Sequence, residues 1–414
     1  MLWLYNIGIL GYGILLRFFS LFNPKAKLFV NGRKGQFERI ANTIDSAQRH
    51  VWFHFASLGE FEQGRTVLEK LLQVHPKKKV IVTFFSPSGY EIRKNYALAE
   101  GVFYLPLDTA SNARRFIRAI NPELAIFTKY EYWFHYFKEL HKKDIPLYII
   151  SGIFRREQSF FKWYGGFQRN ILRFVRHFFL QNQESISLLE SMGFNNTSLS
   201  GDTRFDRVAE NALSPKKIDL VEEFCGNAEV FVAGSTWPQD EQLLKELTAE
   251  NPDWKFIVAP HEISKAHLEE IKSLLPAAVF YSQLSQANES EKAVLNTRQI
   301  LVIDNIGMLS ALYQYGKIAY IGGGFGVGIH NTLEAAAFGL PVIFGPNYQK
   351  FQEAKDLIAK GAALSINDGT ELSNAFRTFR DNDAGAIAAR YVKEKTGATA
   401  QILAKLWPSS PKLQ

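Results

Sequence analysis

Short apolar runs alternate with amphipathic stretches along most of the chain, in two separate series. In the first series the runs that predict strands are residues 51–56, 80–85, 102–105, 124–127, 147–150 and 178–180. In the second series they are residues 230–233, 256–259, 279–281, 300–303, 318–321 and 342–344. Because helical patterns fill the gaps between these runs, the chain is predicted to form two parallel, doubly wound α/β domains.

The pattern also predicts the boundaries of the domains. Residues 1–22 form an apolar stretch, 23–210 a first domain, 211–385 a second domain and 386–414 a closing helix, with a linker at 211–219. An apolar stretch of this length is close to the roughly 20 residues that cross a bilayer, and a basic stretch follows it. A membrane-associated helix with its basic flank at the cytoplasmic headgroups is the favoured interpretation, and a buried first helix is the alternative.

Composition and charge narrow the classes of function. The chain has 414 residues, 46% of them hydrophobic, and a single cysteine, Cys225, so a disulfide framework is excluded. The nine histidines have no spacing typical of a zinc site, and no metal is expected. Residues 1–200 contain 27 basic and 15 acidic residues, whereas residues 201–414 contain 21 and 26, which gives net charges of +12 and −5. A basic half attracts anionic lipid, nucleic acid or a phosphorylated substrate.

Two carboxylates follow predicted strands in the first domain. Glu60 comes shortly after the strand at 51–56, and Glu131 after the strand at 124–127. If the two strand ends are adjacent, these acids can lie close together and supply a general base. The alternatives are an acid that complements a helix dipole and two unrelated surface carboxylates.

The second domain has two candidate segments for binding an anion. Ser235 and Thr236 lie between a strand and a helix, where hydroxyl and N–H groups can bind an anion or only cap the helix. A glycine-rich turn at 322–328 precedes Asn331 and Glu334, which share a helix face and could hold a ribose. Neither the dinucleotide fingerprint nor the P-loop pattern fits this turn.

Two other segments have simpler interpretations. The Asp-Asn-Asp sequence at 381–383 has no strand before it and is expected to be a helix-capping turn. The basic and aromatic residues of 151–176 lack a nucleic-acid motif, so a membrane-facing or phosphate-binding surface explains them equally well.

These motifs, in this order, resemble one known family along almost the whole chain. They are Ser57-Leu58-Gly59-Glu60, Glu131 with Trp133, the segments 201–206 and 234–236, Asp304-Asn305-Ile306-Gly307, and His330 to Glu334. The family is the 3-deoxy-D-manno-octulosonic acid (Kdo) transferases of lipopolysaccharide synthesis. The resemblance implies a GT-B fold, with two Rossmann-like domains facing a central cleft and an N-terminal membrane-associated helix at the cytoplasmic face of the inner membrane. It also implies inverting transfer of Kdo from CMP-Kdo to a lipid A precursor, with neither metal nor cofactor.

The resemblance also assigns site residues. It makes Glu60 the catalytic base and Glu131 a supporting carboxylate, and Arg204 stands where the family usually has a lysine. The implied CMP-binding residues are Ser235, Thr236, Pro260, His261, Ile306, Gly307, Met308, Gly324, His330, Asn331, Thr332, Leu333 and Glu334. At His261 the family usually has an arginine, and Met308 replaces a usual glutamate. His261 or Lys265 is the expected substitute for the phosphate contact.

Three alternatives stay open at this point. A GT-B transferase could instead use a UDP-sugar and a lipid-linked acceptor. A membrane-tethered relative could have kept the fold and lost catalysis, which the histidine at 261 allows. A nucleic-acid-binding protein would show steeply salt-dependent affinity and is the least favoured.

Overall fold

The chain divides into two compact units, each with its own parallel sheet. The computed structural model describes residues 1–408. The first unit is Met1–Arg207 together with the chain from Gly397 onwards, and the second is Val208–Thr396. Each unit contains seven parallel strands flanked by helices, so the predicted pair of doubly wound α/β domains is confirmed.

The first unit has the strand order β3-β2-β1-β4-β5-β6-β7. Its strands are β1 (His50–Phe55), β2 (Lys79–Phe84), β3 (Gly101–Tyr104), β4 (Pro122–Thr128), β5 (Leu147–Gly152), β6 (His177–Leu180) and β7 (Thr197–Leu199). Its helices are α1 (Leu2–Phe19), α2 (Pro24–Gly32), α3 (Gln36–Thr43), α4 (Leu58–Val74), α5 (Pro87–Arg93), α6 (Ala110–Ile120), α7 (Phe134–Lys142), α8 (Gly166–Leu172), α9 (Gln183–Glu190) and α10 (Thr203–Leu213), with a 3-10 turn at Ser159–Phe161. The division between the units falls within α10.

The second unit has the strand order β10-β11-β9-β8-β12-β13-β14. Its strands are β8 (Val230–Thr236), β9 (Lys255–Pro260), β10 (Val279–Phe280), β11 (Ile300–Val302), β12 (Ile318–Ile321), β13 (Val342–Phe344) and β14 (Ala363–Ser365). Its helices are α11 (Asp219–Cys225), α12 (Pro238–Glu250), α13 (Lys265–Leu274), α14 (Tyr281–Gln286), α15 (Glu289–Leu295), α16 (Leu309–Leu312), α17 (Leu333–Ala337), α18 (Gln352–Ala359), α19 (Gly369–Arg380) and α20 (Ala384–Glu394), with a 3-10 turn at Tyr313–Tyr315. A final helix, α21 (Ala398–Leu406), belongs to the first unit.

The central strands explain why the apolar runs are continuous. All six residues of β1 are buried, because helices cover both faces of a parallel sheet. Trp52 and Phe127 pack in one core, and Phe53 and Phe55 pack in the core on the other face. The edge strands β7 and β14 are short and only partly buried, and the hydrophobic pattern did not predict them.

The closing segment is two helices, whereas a single helix was expected over 386–414. The break falls at Gly397, whose φ of 111° is in the region that glycine tolerates. The Asp206 carboxylate accepts hydrogen bonds from the N–H groups of Gly397 and Thr399, at 2.5 and 2.6 Å. Ile402 and Leu403 then pack into the core of the first unit. The expected helix also covered residues 409–414, which lie outside the described residues, and of the predicted linker only 214–218 is non-helical.

Candidate active site

Glu60 lies in the first turn of α4, directly after the central strand β1. The Ser57 hydroxyl donates a hydrogen bond to its carboxylate, and the side chain is partly exposed. Gly64, one turn further on, packs so closely on Phe55 that a Cβ would lie 2.4 Å from the ring. The helix start is therefore held close to the sheet. The Glu60 carboxylate is thus positioned at a helix N-terminus, beside the end of the central strand.

Glu131 follows β4, the strand that pairs with β1 in the sheet. Its Oε2 accepts hydrogen bonds from Trp133 Nε1 at 2.9 Å and from His54 Nε2 at 3.3 Å. The carboxylate is 16% exposed. The expectation that the two acids follow adjacent strands is thus met, and Glu131 is the more tightly held of the two.

His54 is a site residue that the sequence reasoning missed. Its side chain is completely buried in β1, and its Nδ1 lies 2.8 Å from Thr83 Oγ1. Thr83 Oγ1 also accepts the indole N–H of Trp52 at 2.8 Å. The hydroxyl proton of Thr83 can go to His54 Nδ1 or to the Phe53 carbonyl oxygen at 3.4 Å. When it goes to His54 Nδ1, the Nε2 proton of the imidazole is the one that donates to Glu131. A histidine in the middle of an apolar strand resembles a core residue, and no sequence signal distinguished it.

Arg204 and Tyr130 complete the polar edge of the first unit. Arg204 Nε and Nη2 each lie 2.8 Å from Asp202 Oδ2, which fixes the guanidinium group. Burial raises the pKa of Tyr130, and the charge of Glu60 also raises it. The hydrogen-bonded neighbour Arg155 and the charge of Arg204 lower the same pKa. The charges of Glu60 and Arg204 thus both act on the pKa of the Tyr130 side chain.

In the second unit, the loops after β8, β9 and β12 lie side by side. Ser235 adopts a left-handed φ of 54°, and Thr236 pairs with Pro260 at the ends of β8 and β9. A Cβ at Gly322 would lie 2.2 Å from the Ser235 carbonyl oxygen, so only glycine fits there. The Thr236 hydroxyl is buried and donates to Glu241 at 3.0 Å, which fixes the loop.

Asp240, in the first turn of α12, connects this loop to the glycine-rich turn. Its carboxylate accepts hydrogen bonds from the N–H groups of Trp237 and Gly323 and from the Tyr320 hydroxyl, at 2.9, 3.0 and 2.6 Å. Burial raises the pKa of Asp240, and these hydrogen bonds oppose the rise. A Cβ at Gly324 would lie 2.6 Å from the backbone of Gly345, so the glycine-rich turn is packed closely against the next strand end.

Three rings are stacked above these loops. The Trp237 indole lies 4.8 Å from the His261 ring, and His261 lies 4.3 Å from the His330 ring, both nearly parallel. Trp237 Nε1 also donates to His330 Nε2 at 3.3 Å. Burial, followed by the charge of His261, lowers the pKa of His330 to about 4, so His330 is a neutral acceptor near pH 7. Sequence reasoning identified both histidines and missed Trp237.

The helix start at Asn331 has the predicted geometry. Asn331 Nδ2 donates to Glu334 Oε1 at 3.0 Å, and Asn331 Oδ1 accepts the N–H of Leu333. Leu333 and Thr332 are fully buried, and Leu333 is a core residue. Within residues 1–408, the Thr332 hydroxyl has no hydrogen-bond partner. Asn331 and Glu334, unlike Thr332 and Leu333, are partly exposed.

The turn at 306–308 follows β11 and lies at the same end of the sheet. Ile306 is 87% exposed, Gly307 has a φ of 91°, and Met308 precedes α16. A Cβ at Gly234 would lie 2.8 Å from Leu309, which places the start of α16 against β8. In the described part of the chain, no group of three or more histidine, cysteine, aspartate or glutamate side chains is arranged to hold a metal ion.

Known proteins resemble the chain both in sequence and in fold. The family profile described as 3-deoxy-D-manno-octulosonic-acid transferase matches residues 31–207. The Rickettsia bellii 3-deoxy-D-manno-octulosonic acid transferase is 26% identical over 80% of this chain and 79% of its own length. The enzyme of that name from Chlamydia trachomatis serovar A is 27% identical over 78% and 76%.

Solved structures agree on the fold. The UDP-GlcNAc 2-epimerase of Neisseria meningitidis has a TM-score of 0.61 at 15% identity, covering 87% of this chain and 100% of that one. The calicheamicin glycosyltransferase CalG4 has a TM-score of 0.51 at 12% identity, covering 87% and 97%. These similarities support the GT-B type of fold. With the motifs and the matched relatives, they lead to one conclusion: the chain is a glycosyltransferase that is similar to 3-deoxy-D-manno-octulosonic acid (Kdo) transferases over 80% of its length.

Proposed function

We propose that this chain transfers Kdo from CMP-Kdo to a lipid A precursor at the cytoplasmic face of the inner membrane. The observation that carries the proposal is the polar edge of the first unit. There the partly exposed Glu60 is held by Ser57, next to the strand end that carries Glu131. The same unit holds a guanidinium group, that of Arg204, which is fixed by the Asp202 carboxylate.

In the proposed reaction, Glu60 removes the proton from an acceptor sugar hydroxyl as that hydroxyl attacks the anomeric carbon of Kdo. The new bond forms on the face opposite the departing phosphate, so the configuration inverts. Arg204, which Asp202 holds in place, would favour the negative charge that develops during transfer. General-base catalysis of this kind contributes about 10²–10⁴-fold to the rate.

The second unit is proposed to hold CMP. Glu334, oriented by Asn331, would accept hydrogen bonds from ribose hydroxyls. The phosphate would lie at the loop of Ser235 near the stacked rings of Trp237, His261 and His330. CMP leaves as a phosphate monoester. Backbone N–H groups at helix starts can stabilise the charge of this phosphate, so the proposal includes no metal. The expected partners are therefore CMP-Kdo, the lipid acceptor and the membrane surface.

Helix α1 supports the proposed localisation. It has 18 residues with a mean hydropathy of 1.4, none of them buried, and it passes the length and composition criteria for a membrane span. A signal sequence or a core helix can pass the same criteria, but α1 is not buried in the first unit. Lys25, Lys27 and Lys34 follow it and are exposed, as expected for a surface that faces anionic lipid.

Nucleotide competition separates this function from the alternative with a UDP-sugar. CMP should bind the full-length chain and inhibit transfer, and UDP should do neither at the same concentration. Binding of UDP in preference to CMP would favour the alternative donor. Binding of CMP without any transfer would indicate a relative that has lost catalysis.

A further inference from the structure

A buried polar link joins the helix that carries Glu60 to the segment that carries Arg204. Gln63 lies in α4 three residues after Glu60, so the two side chains are neighbours on one face of the helix. Its Nε2 donates a hydrogen bond to Asp202 Oδ1 at 3.1 Å. The other carboxylate oxygen, Asp202 Oδ2, accepts hydrogen bonds from Nε and Nη2 of Arg204, both at 2.8 Å. Hydrogen bonds therefore connect α4 to the guanidinium group without a break.

A second contact joins the same two segments through the backbone of α4. The Thr203 hydroxyl donates to the Gln63 carbonyl oxygen, and it lies 2.9 Å from the Ser151 hydroxyl at the end of β5. The N–H group of Gly201 donates to the Leu180 carbonyl oxygen at 3.1 Å, at the end of β6. The start of α10 is therefore fixed to α4 and to two strand ends of the first unit.

Both side chains of the link are buried, Gln63 at 1% and Asp202 at 6% exposure. A buried carboxylate needs hydrogen bonds and a cation, and Asp202 has the Gln63 amide, the Arg204 N–H group at 2.9 Å and the guanidinium group. In the chain up to residue 408, Gln63 Oε1 has no hydrogen-bond partner, which opposes folding. An apolar side chain of the same size would avoid this penalty, so the glutamine is explained by the group to which its Nε2 donates.

A simpler role for Asp202 is to cap a helix. Helix α10 begins at Thr203, and Asp202 Oδ1 accepts the N–H group of Arg204, as a capping side chain does. Capping uses only Oδ1, whereas the guanidinium group binds Oδ2. Asparagine also caps helices and keeps Oδ1, but it has an amide NH2 group in place of Oδ2. A single substitution therefore separates capping from the contact with the cation.

We propose that Asp202 and Gln63 are positioning residues that hold Arg204 in a fixed place relative to Glu60 during transfer. Asp202 orients the guanidinium group, and Gln63 attaches Asp202 to the helix whose first turn carries the base. A charge stabilises a transition state most effectively when it is already in place, because no reorganisation is then needed. This inference rests on the proposed function and adds two residues to it, both of which act through Arg204.

The Asp202→Asn variant of the full-length chain tests the first role, with CMP-Kdo and a tetra-acylated lipid A precursor as substrates. It keeps the helix cap and loses the contact with Arg204, so kcat should fall about 10- to 100-fold. The Kd for CMP should not change, because the nucleotide is proposed to bind the second unit. Thermal unfolding should show that the variant is folded. Normal kcat in this variant would overturn the proposal.

Asp368→Asn is the matched control for this substitution. Asp368 caps α19 in the second unit, where its Oδ1 accepts the N–H group of Glu371 at 2.8 Å. The control therefore makes the same chemical change at a helix cap that has no proposed part in transfer. It should keep the kcat of the parent chain. An equal loss of kcat in both variants would show that the effect comes from the caps and would contradict a positioning role.

The Gln63→Met variant tests the second role. Methionine has a similar size but cannot donate to Asp202, so kcat should fall about tenfold with the Kd for CMP unchanged. Gln36→Met is the matched control, because Gln36 is also buried in the first unit, donates to the Tyr104 carbonyl oxygen and, among the described residues, has no partner for Oε1. It should keep normal kcat. Equal kcat in the two variants would remove Gln63 from the proposal.

Combination with Arg204→Met shows whether both residues act through the cation. In a chain that already carries Arg204→Met, Asp202→Asn and Gln63→Met should each change the remaining kcat by less than about twofold, because the group that they position is absent. This rate can be measured from the product formed in long incubations. A further fall as large as in the parent chain would show that the two residues act independently of Arg204 and would overturn the positioning role.

The parent chain separates this inference from the function on which it rests. Transfer from CMP-Kdo by the parent chain, together with normal kcat in Asp202→Asn and Gln63→Met, overturns the inference and leaves the proposed function standing. Absence of transfer by the folded parent chain overturns both. Transfer by the parent chain, with the two losses of kcat and normal kcat in both controls, supports both.

Discussion

The two units have the same kind of parallel sheet but build their candidate sites from different sets of chemical groups. At the edge of the first unit are two carboxylates, Glu60 and Glu131, and a fixed guanidinium group, Arg204. The corresponding edge of the second unit has glycine-rich backbone, amide and hydroxyl groups and a stack of three rings, in which the pKa of His330 is lowered to about 4. We propose that the first site moves a proton and that the second holds a nucleotide, with Glu334 at the ribose and backbone N–H groups at the phosphate.

The difference shows that the net charge of a unit does not predict which chemical groups form its candidate site. The first 200 residues carry a net charge of +12, yet their site depends on carboxylates. The later residues carry −5 and are proposed to bind a nucleotide phosphate. In each unit, the local ends of parallel strands determine which groups meet, whereas the bulk charge sets the electrostatic field around the unit as a whole.

The largest effect is expected for Glu60→Gln. The amide keeps the size of the side chain but cannot accept the proton, so kcat should fall by about 10²–10⁴-fold. Because the nucleotide is proposed to bind the second unit, the Kd for CMP measured by calorimetry should not change. Glu62→Gln, two residues further along α4, is the control and should retain normal turnover. Near-normal kcat in Glu60→Gln would remove Glu60 from the mechanism.

Glu334→Gln should instead change the Kd for CMP. Loss of the proposed contact with the ribose should weaken CMP binding by about 10- to 100-fold, since hydrogen bonds to charged groups contribute about 1.5–3 kcal/mol. Glu371→Gln, which also changes an acid in the first turn of a helix of the second unit, is the matched control. If both variants bind CMP like the parent chain, the ribose is held elsewhere.

Trp133→Phe should give a smaller effect, confined to the first unit. It removes the N–H group that donates to Glu131 at 2.9 Å but keeps a ring to pack against Phe85. We expect kcat to fall about tenfold with the Kd for CMP unchanged, because a less constrained Glu131 supports the site less well. A change in CMP affinity alone would contradict this division between the units.

The smallest effect concerns the dependence of stability on pH. The pKa of His330 is lowered to about 4 in the folded chain, below the usual 6.5, so the unfolded state binds the proton more tightly. The stabilisation from neutral His330 is therefore present above pH 6.5 and lost as the pH falls towards 4. His330→Gln should reduce the loss of stability between pH 7 and pH 5, as measured by urea unfolding of the second unit. His177, whose pKa burial also lowers to about 4, allows the same test in the first unit.

Sequence patterns predicted the parts of the structure that are set by local periodicity. The long buried strands and the position of Glu60 and Glu131 after neighbouring strands follow from apolar runs and parallel topology. The edge strands β7 and β14 were missed because three partly buried residues give no clear period. The break at Gly397 was missed because Asp206, which stabilises it, is distant in sequence.

The missed site residues have a common cause. His54 and Trp237 act through contacts across strands, to Glu131 in one case and to His261 and His330 in the other. In one sequence each of them resembles an ordinary buried or loop residue. Only the order of the strands, which sequence periodicity does not give, shows which side chains they meet.

A direct transfer assay tests the central claim. The full-length chain is incubated with CMP-Kdo and a tetra-acylated lipid A precursor, and the lipid product and released CMP are measured by mass spectrometry. The account predicts a product heavier by one or more Kdo residues, with equimolar release of CMP, and no product when a UDP-sugar replaces CMP-Kdo. Transfer from the UDP-sugar, or no transfer from CMP-Kdo by the folded chain, would contradict it.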